Sequence, residues 1–231
     1  MFDQLVESAA QRYRPAGRFA HGWARGKLGS DPAFRHLLSH GLLGQPQTVV
    51  DIGCGQGVLA SLLVAARRQH QAGAWPPDWP APPLQARVHG IELMASDVER
   101  GRRALGDEAD FVAGDMCSTP FPPCQVVVIL DVLHYVPFAA QDEVLTRVHR
   151  ALAPGGRLLL RVGDAAGGFG FAFSHWVDRV VMRARGHRIS QLYCRPIGEW
   201  VTRLQQIGFT VESRPMSQGT LFANVLLIAD R

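Results

Sequence analysis

Between residues 47 and 162 the chain alternates short apolar runs with helical segments, and that alternation constrains the fold most. The runs 47–51, 87–92, 110–113, 125–130 and 157–162 predict strands, and 57–70, 95–105 and 140–152 predict helices between them. Such an order makes βαβ units and a parallel sheet, because each parallel return needs a crossover long enough to hold a helix. The run Gln125-Val126-Val127-Val128-Ile129-Leu130 suits a strand buried on both faces. Pro154-Gly155-Gly156 predicts a turn just before the fifth strand. After a last helix, 207–212 and 221–229 read as two strands too close together for a crossover, so they must pair antiparallel.

Around this core lie three other segments. Residues 1–44 read as helical, with Ser30-Asp31-Pro32 as a helix start, Phe34, Leu37 and Leu38 on its apolar face, and Gly41 and Gly44 after its end. Residues 71–86, QAGAWPPDWPAPPLQA, hold too many prolines for helix or central strand and predict a semi-rigid loop. Residues 163–196 begin glycine-rich and continue with aromatics and arginines, an insertion between the fifth strand and the last helix. The expected organisation is an N-terminal helical lid over 1–44 and one α/β domain over 45–231.

At 231 residues, 47% hydrophobic and 19% charged, the chain has the apolar material for a packed core and not the composition of a disordered one. Its net charge of +4 is spread rather than concentrated in a stripe, which disfavours a dedicated nucleic-acid binder. Cys54, Cys117, Cys124 and Cys194 show no metal-ligand spacing, and His36 and His40, four apart on one helical face, lack a third ligand, so no metal is expected. Reduced thiols, no signal-peptide pattern and no apolar stretch of membrane-spanning length together predict a cytoplasmic protein with no membrane partner.

The chemistry centres on Val49-Val50-Asp51-Ile52-Gly53-Cys54-Gly55-Gln56-Gly57, where an apolar strand ends in a carboxylate and three alternate glycines lead into a helix. Glycines there allow tight turns and close approach of a ligand, and the helix start offers free N–H groups, which makes a seat for a nucleoside cofactor. A dinucleotide fingerprint would read GxGxxG with an acidic residue about twenty positions on. Here the spacing is GxGxG, and Glu92 closes the second strand later than that because the proline-rich loop intervenes. Asp115 follows the third strand and Asp131 ends the fourth.

In this order the chain resembles the class I S-adenosylmethionine-dependent methyltransferases. VVDIGCGQG resembles that family's first motif, HGIELMASDVERGRRAL its second, AGDMCSTPFP its third, VVVILDVLHYVP its fourth and ALAPGGRLLLRV its fifth-strand motif. The resemblance spans about 48–162. It implies a Rossmann-like seven-stranded sheet, five parallel strands plus the antiparallel hairpin, with helices on both faces. It also implies S-adenosyl-L-methionine as cofactor and S-adenosyl-L-homocysteine as product. Carried over by position, Gly53, Cys54, Gly55 and Gly57 pass close to the cofactor, and Asp51 orders that loop and reaches the methionine ammonium through water. Glu92 takes both ribose hydroxyls, Leu93 packs on the adenine, Asp115 and Met116 bond its edge, and Asp131 and Val132 border the methyl. Cys54 reads as a small residue rather than a nucleophile, since no base stands near it in sequence.

For acceptor chemistry His134 is the candidate general base, just after the fourth strand, with Tyr13, Tyr135 and Tyr193 as weaker candidates; a structural loop histidine is the competing reading. Arg18, Arg25 and Lys27 are candidate contacts to the cofactor's carboxylate, against a solvated basic face. Trp23, Tyr135, His175 and Trp176, with Phe169, Phe171 and Phe173, suggest a pocket for a small apolar or aromatic acceptor. The cluster Arg179, Arg183, Arg185, His187 and Arg188 is a solvated helix face or a dock for an anionic partner such as an acyl carrier protein. A fainter resemblance connects the 14–28 segment to methyltransferases of aryl polyene pigment pathways. The expected activity is small-molecule methylation of the kind found in secondary metabolism. RNA or protein methylation, or a non-catalytic S-adenosylmethionine-binding partner, are the alternatives.

Overall fold

The computed structural model describes residues 2–163, 192–216 and 224–231. Seven strands form one sheet in the order β3-β2-β1-β4-β5-β7-β6, and the chain divides into two compact units, Met1–Val127 and Val128–Arg231.

The first unit opens with α1 (Phe2–Gln11), a 3-10 turn (Arg14–Ala16), α2 (Arg18–Ser30) and α3 (Pro32–Ser39). As the sequence predicts, Asp31 caps α3, its carboxylate accepting from the Ala33 N–H at 3.0 Å with Pro32 next in line. Then come β1 (Thr48–Ile52), α4 (Val58–Gln71), β2 (Arg87–Glu92), α5 (Ala95–Leu105) and β3 (Ala109–Ala113). The pairs β1–β2 and β2–β3 are parallel, with Asp51 opposite Gly90 and Gly90 opposite Phe111. Every residue of α4 from Val58 to Ala66 is buried, and its sequence VLASLLVAA is apolar but for Ser61, whose hydroxyl donates to the Ala9 carbonyl. Most crossover helices bury one stripe. This one buries its whole circumference because α1, through Leu5, Val6, Ala9 and Ala10, packs on it, as does α2.

Apart from Gln71, the last residue of α4, the proline-rich segment carries no helix or strand, and it is tied down more firmly than a bare surface loop. The Gln45 side chain donates to the carbonyls of Ala81 and Pro82 and accepts from the Leu84 N–H. Trp79 meets Phe2 and Trp75, with the Arg35 guanidinium over its ring.

The second unit holds the end of β4 (Cys124–Leu130), then α6 (Phe138–Ala151), β5 (Leu152–Gly163), α7 (Ile197–Ile207), β6 (Thr210–Pro215) and β7 (Asn224–Asp230). The terminal hairpin is antiparallel as predicted, β7 lying between β5 and β6, with Leu159 opposite Ile228 and Thr210 opposite Asp230. Most boundaries shift from the sequence reading by one to three residues, and two shifts have a clear physical cause. Pro154-Gly155-Gly156 does not precede β5 but lies within it: the Gly155 N–H donates to the Arg231 carbonyl, and the Arg231 N–H to Gly156. The strand toward the hairpin begins at Thr210, because α7 runs to Ile207 and Gly208 caps it at φ 112°.

Candidate functional site

The first unit gathers its polar groups at the carboxyl ends of β1, β2 and β3, where ligands bind in open α/β sheets. The Gly53 and Cys54 N–H groups both donate to the Ile91 carbonyl, at 2.8 and 3.2 Å, and the Gly57 N–H closes on the Cys54 carbonyl at 2.9 Å. Gly53, Gly55 and Gly57 all adopt the left-handed region, with φ between 55° and 78°. At Gly57 the packing is as demanding as the backbone, since an added Cβ would stand 2.4 Å from the Phe111 ring. The same ring lies 2.8 Å from a Cβ on Gly90, which faces it from β2. Phe111 thus sits beneath the loop and explains part of the glycine pattern without any ligand.

Glu92 is the organising carboxylate. Its Oε2 accepts from the Gly55 N–H at 2.9 Å, and its Oε1 from the Met94 N–H at 2.9 Å. One bond on each oxygen leaves each with a further lone pair for a ligand hydroxyl. Asp51 plays a different part from the loop-ordering one expected of it. Its buried carboxylate accepts no hydrogen bond and forms no ion pair among the described residues, so the loop is ordered by Glu92 and by the Ile91 carbonyl. Burial first, and then the neighbouring Glu92, push the Asp51 pKa up to about 7. Burial also raises the Cys54 thiol well above its ordinary pKa, which leaves it a packing group and no nucleophile.

Leu93 follows Glu92 and is 61% exposed, an uncovered apolar side chain at the strand end. Asp115 is exposed. Its Oδ1 accepts from the Cys117 N–H at 2.8 Å, and its carbonyl from Ser118 and Thr119, a turn that presents Asp115 and Met116 after β3.

The N-terminal helices reach this loop. The Tyr13 hydroxyl donates to the Gln56 carbonyl at 2.9 Å, the Gln56 amide donates to the Ala20 carbonyl at 2.8 Å, and the Trp23 ring lies 3.7 Å from where a Gly55 Cβ would be. Tyr13 is therefore no general base: it is wholly buried, and burial lifts its pKa far above the phenol range. Of the cations, Lys27 pairs with Asp31 at 2.8 Å and Arg25 with Glu7 at 3.0 Å, both away from the loop's own bonds. Arg18 is exposed and makes no ion pair among the described residues.

In the second unit Asp131 takes φ 59° just after β4, the one non-glycine in that region among the described residues. Arg161, 2% exposed on β5, grips its carboxylate through Nε and Nη2, the Nε bond being 2.9 Å, while the Asp131 N–H donates to the Arg161 carbonyl. Val132 and a 3-10 turn at Leu133–Tyr135 follow. His134 is 9% exposed, its ring edge-on to Tyr135 at 4.2 Å, and its carbonyl accepts from the Tyr193 N–H at 2.9 Å. The buried Gln141 amide donates to the carbonyls of Val136 and Tyr193, and buried Arg195 bonds Asp142 and the Phe138 carbonyl between the Phe138 and Trp200 rings. The segment returning from the insertion is thus pinned to the turn that carries His134. Sequence reasoning missed Gln141, Arg161 and Arg195. Only Arg161 advertised itself, as a lone charge in the apolar run LLLRV. His175, Trp176, Phe169, Phe171, Phe173 and the 179–188 arginine cluster lie outside the described residues.

Among the described residues no group of three or more His, Cys, Asp or Glu could hold a metal, and no helix is long and apolar enough to cross a membrane.

In the first unit a glycine loop is tied to a strand-end carboxylate, and the seven-stranded α/β sheet ends in the antiparallel β6-β7 hairpin. The sequence model of the family described as "Methyltransferase domain" matches residues 25–214, and the chain belongs to that family. It is 28% identical over 144 residues to the tetracenomycin polyketide synthesis 8-O-methyl transferase of Streptomyces glaucescens, covering 59% of this chain and 38% of that protein. To the trans-aconitate 2-methyltransferase of Methylobacterium nodulans it is 33% identical over 129 residues, covering 55% and 43%. The chain thus spans about two fifths of the length of these curated relatives. Among solved structures, the mitomycin 7-O-methyltransferase superposes with a TM-score of 0.63 at 23% identity, over 97% of this chain and 61% of that one. This likeness shows the shared fold.

Proposed function

We propose that the protein is an S-adenosylmethionine-dependent methyltransferase, acting in the cytosol on a small apolar or aromatic molecule, free or borne on an acyl carrier protein. The observation that carries the reading is Glu92: a strand-end carboxylate held by two main-chain amides, with spare acceptor capacity on both oxygens, beside a glycine loop and the buried carboxyl group of Asp51. Such a set fits a ribose diol attached to a cationic group. Relatives named for O-methylation in polyketide synthesis and for trans-aconitate methylation support a small-molecule acceptor.

When bound, the cofactor supplies a methyl group already activated on sulfonium sulfur, so the chain has to position and shield more than to activate. Glu92 accepts from the ribose hydroxyls, Asp51 offers negative charge to the ammonium, and Leu93 covers the adenine. Asp115 and Met116 bond the adenine edge, and Arg18 meets the carboxylate. In the second unit Asp131 and Val132 are the proposed neighbours of the methyl group. Asp131 is held by Arg161, and for a hydroxyl acceptor His134 is the group proposed to take the proton. Trp23, Tyr135, His175 and Trp176 are the proposed acceptor walls.

Incubating the protein with methyl-labelled S-adenosylmethionine and an extract of its own organism tests the reading. Label in small molecules, or in material released from carrier protein by thioester cleavage, is the expected result. Label confined to RNA or to acid-stable protein would overturn the acceptor class.

A further inference from the structure

Gln56 is the residue between the second and third glycines, and the structure holds it from two directions. Its carbonyl accepts the Tyr13 hydroxyl and its side chain, also buried, donates to Ala20 on α2. The peptide that joins Gln56 to Gly57 therefore has both polar groups satisfied, the carbonyl by Tyr13 and the N–H by Cys54. Gly53, Cys54 and Gly55 also have bonded amides. The Gln56 N–H is left as the loop amide without a partner among the described residues. A stretch with three left-handed glycines has much conformational freedom to lose, and nothing in its own sequence would keep that N–H presented.

We propose that Tyr13 is a positioning residue: through Gln56 it fixes the glycine loop so that the Gln56 N–H is held ready for an acceptor group of the bound ligand. The N-terminal helices then act as a fixed wall of the cofactor seat rather than as a lid that swings. Burial favours the protonated phenol, so the hydroxyl keeps the hydrogen it donates to Gln56. The identity of the ligand rests on the function proposed above; the latch does not.

Tyr13→Phe keeps the ring and removes only the donor. Amide hydrogen exchange of the ligand-free protein should speed up several-fold in peptides covering 53–57 and stay unchanged in β5 and β7. Titration with S-adenosylhomocysteine should show Kd raised roughly fivefold, the effect of one ordinary hydrogen bond. Leu5→Ala, which loses packing in the same N-terminal segment, should lower the unfolding temperature and leave Kd alone. Unchanged exchange over 53–57 in Tyr13→Phe overturns the proposal, as does an equal loss of affinity in Leu5→Ala. If wild type binds no S-adenosylhomocysteine while Tyr13→Phe still frees the loop, the latch stands and the cofactor reading falls.

Discussion

Replacing Asp51 by Asn should stabilise the ligand-free protein more as the pH rises, although it damages the site. The carboxylate is buried without a partner among the described residues, and its pKa is raised from an ordinary 3.8 to about 7. A raised folded-state pKa contributes stability that is fully present below pH 3.8 and is lost as pH rises through 7. Applying the linkage relation to those two values, the wild type loses about 2.5 kcal/mol between pH 5 and pH 8 from this group alone. Asn has a similar shape and no charge, so its fixed cost for an unpaired amide, about 1–3 kcal/mol, does not vary with pH. Other groups that titrate across the range are common to both proteins and cancel in the difference. Urea unfolding of both at pH 5, 6, 7 and 8, without cofactor, measures that difference directly. The gap should move toward the variant by about 2.5 kcal/mol over the range. Parallel profiles would refute the reasoning, since they would mean that Asp51 is solvated or paired when folded. The same charge predicts that wild type binds S-adenosylmethionine more tightly as pH rises through about 7, and that Asp51→Asn loses this dependence.

Gly57→Ala should cost about 3 kcal/mol or more, combining a left-handed backbone with a Cβ forced against Phe111; trimming that ring in Gly57→Ala/Phe111→Leu should recover part of the loss, as read by urea midpoint. Arg161→Met should destabilise by about 2–4 kcal/mol, because Asp131 loses the cation that holds its left-handed backbone. Iodoacetamide on the folded protein should modify the half-exposed Cys117 and Cys194 first and spare buried Cys54 and Cys124, the latter with its pKa pushed up to about 11 by burial; mass spectrometry gives the order.

Much of this architecture was legible because buried strands and helices write themselves as apolar periods. Arg87–Glu92 and Ala95–Leu105 begin and end where the sequence predicts. The site was legible where a residue type is demanded by its backbone place: carboxylates at strand ends and glycines in a tight loop. It was illegible where the partner is a main-chain atom far away in sequence. Nothing in Tyr13 or Gln56 announces a bond across 43 positions, and Gln141 looks like any polar residue of a helix face until its amide meets two carbonyls. The turn at Pro154-Gly155-Gly156 misled because a positive φ at Gly155 fits a bent strand as well as a turn, and the distant Arg231 decides which. Asp51 shows the same limit, since sequence shows a carboxylate at a strand end but not whether anything bonds it.

The central claim is that Glu92 and the glycine loop form a seat for S-adenosylmethionine. Calorimetric titration of wild type and Glu92→Ala with S-adenosylmethionine tests it most directly. The account predicts one site of micromolar affinity in wild type and a loss of about 100-fold in the variant, from two charge-assisted hydrogen bonds to the ribose. No binding to wild type, or the same affinity in Glu92→Ala, would contradict it.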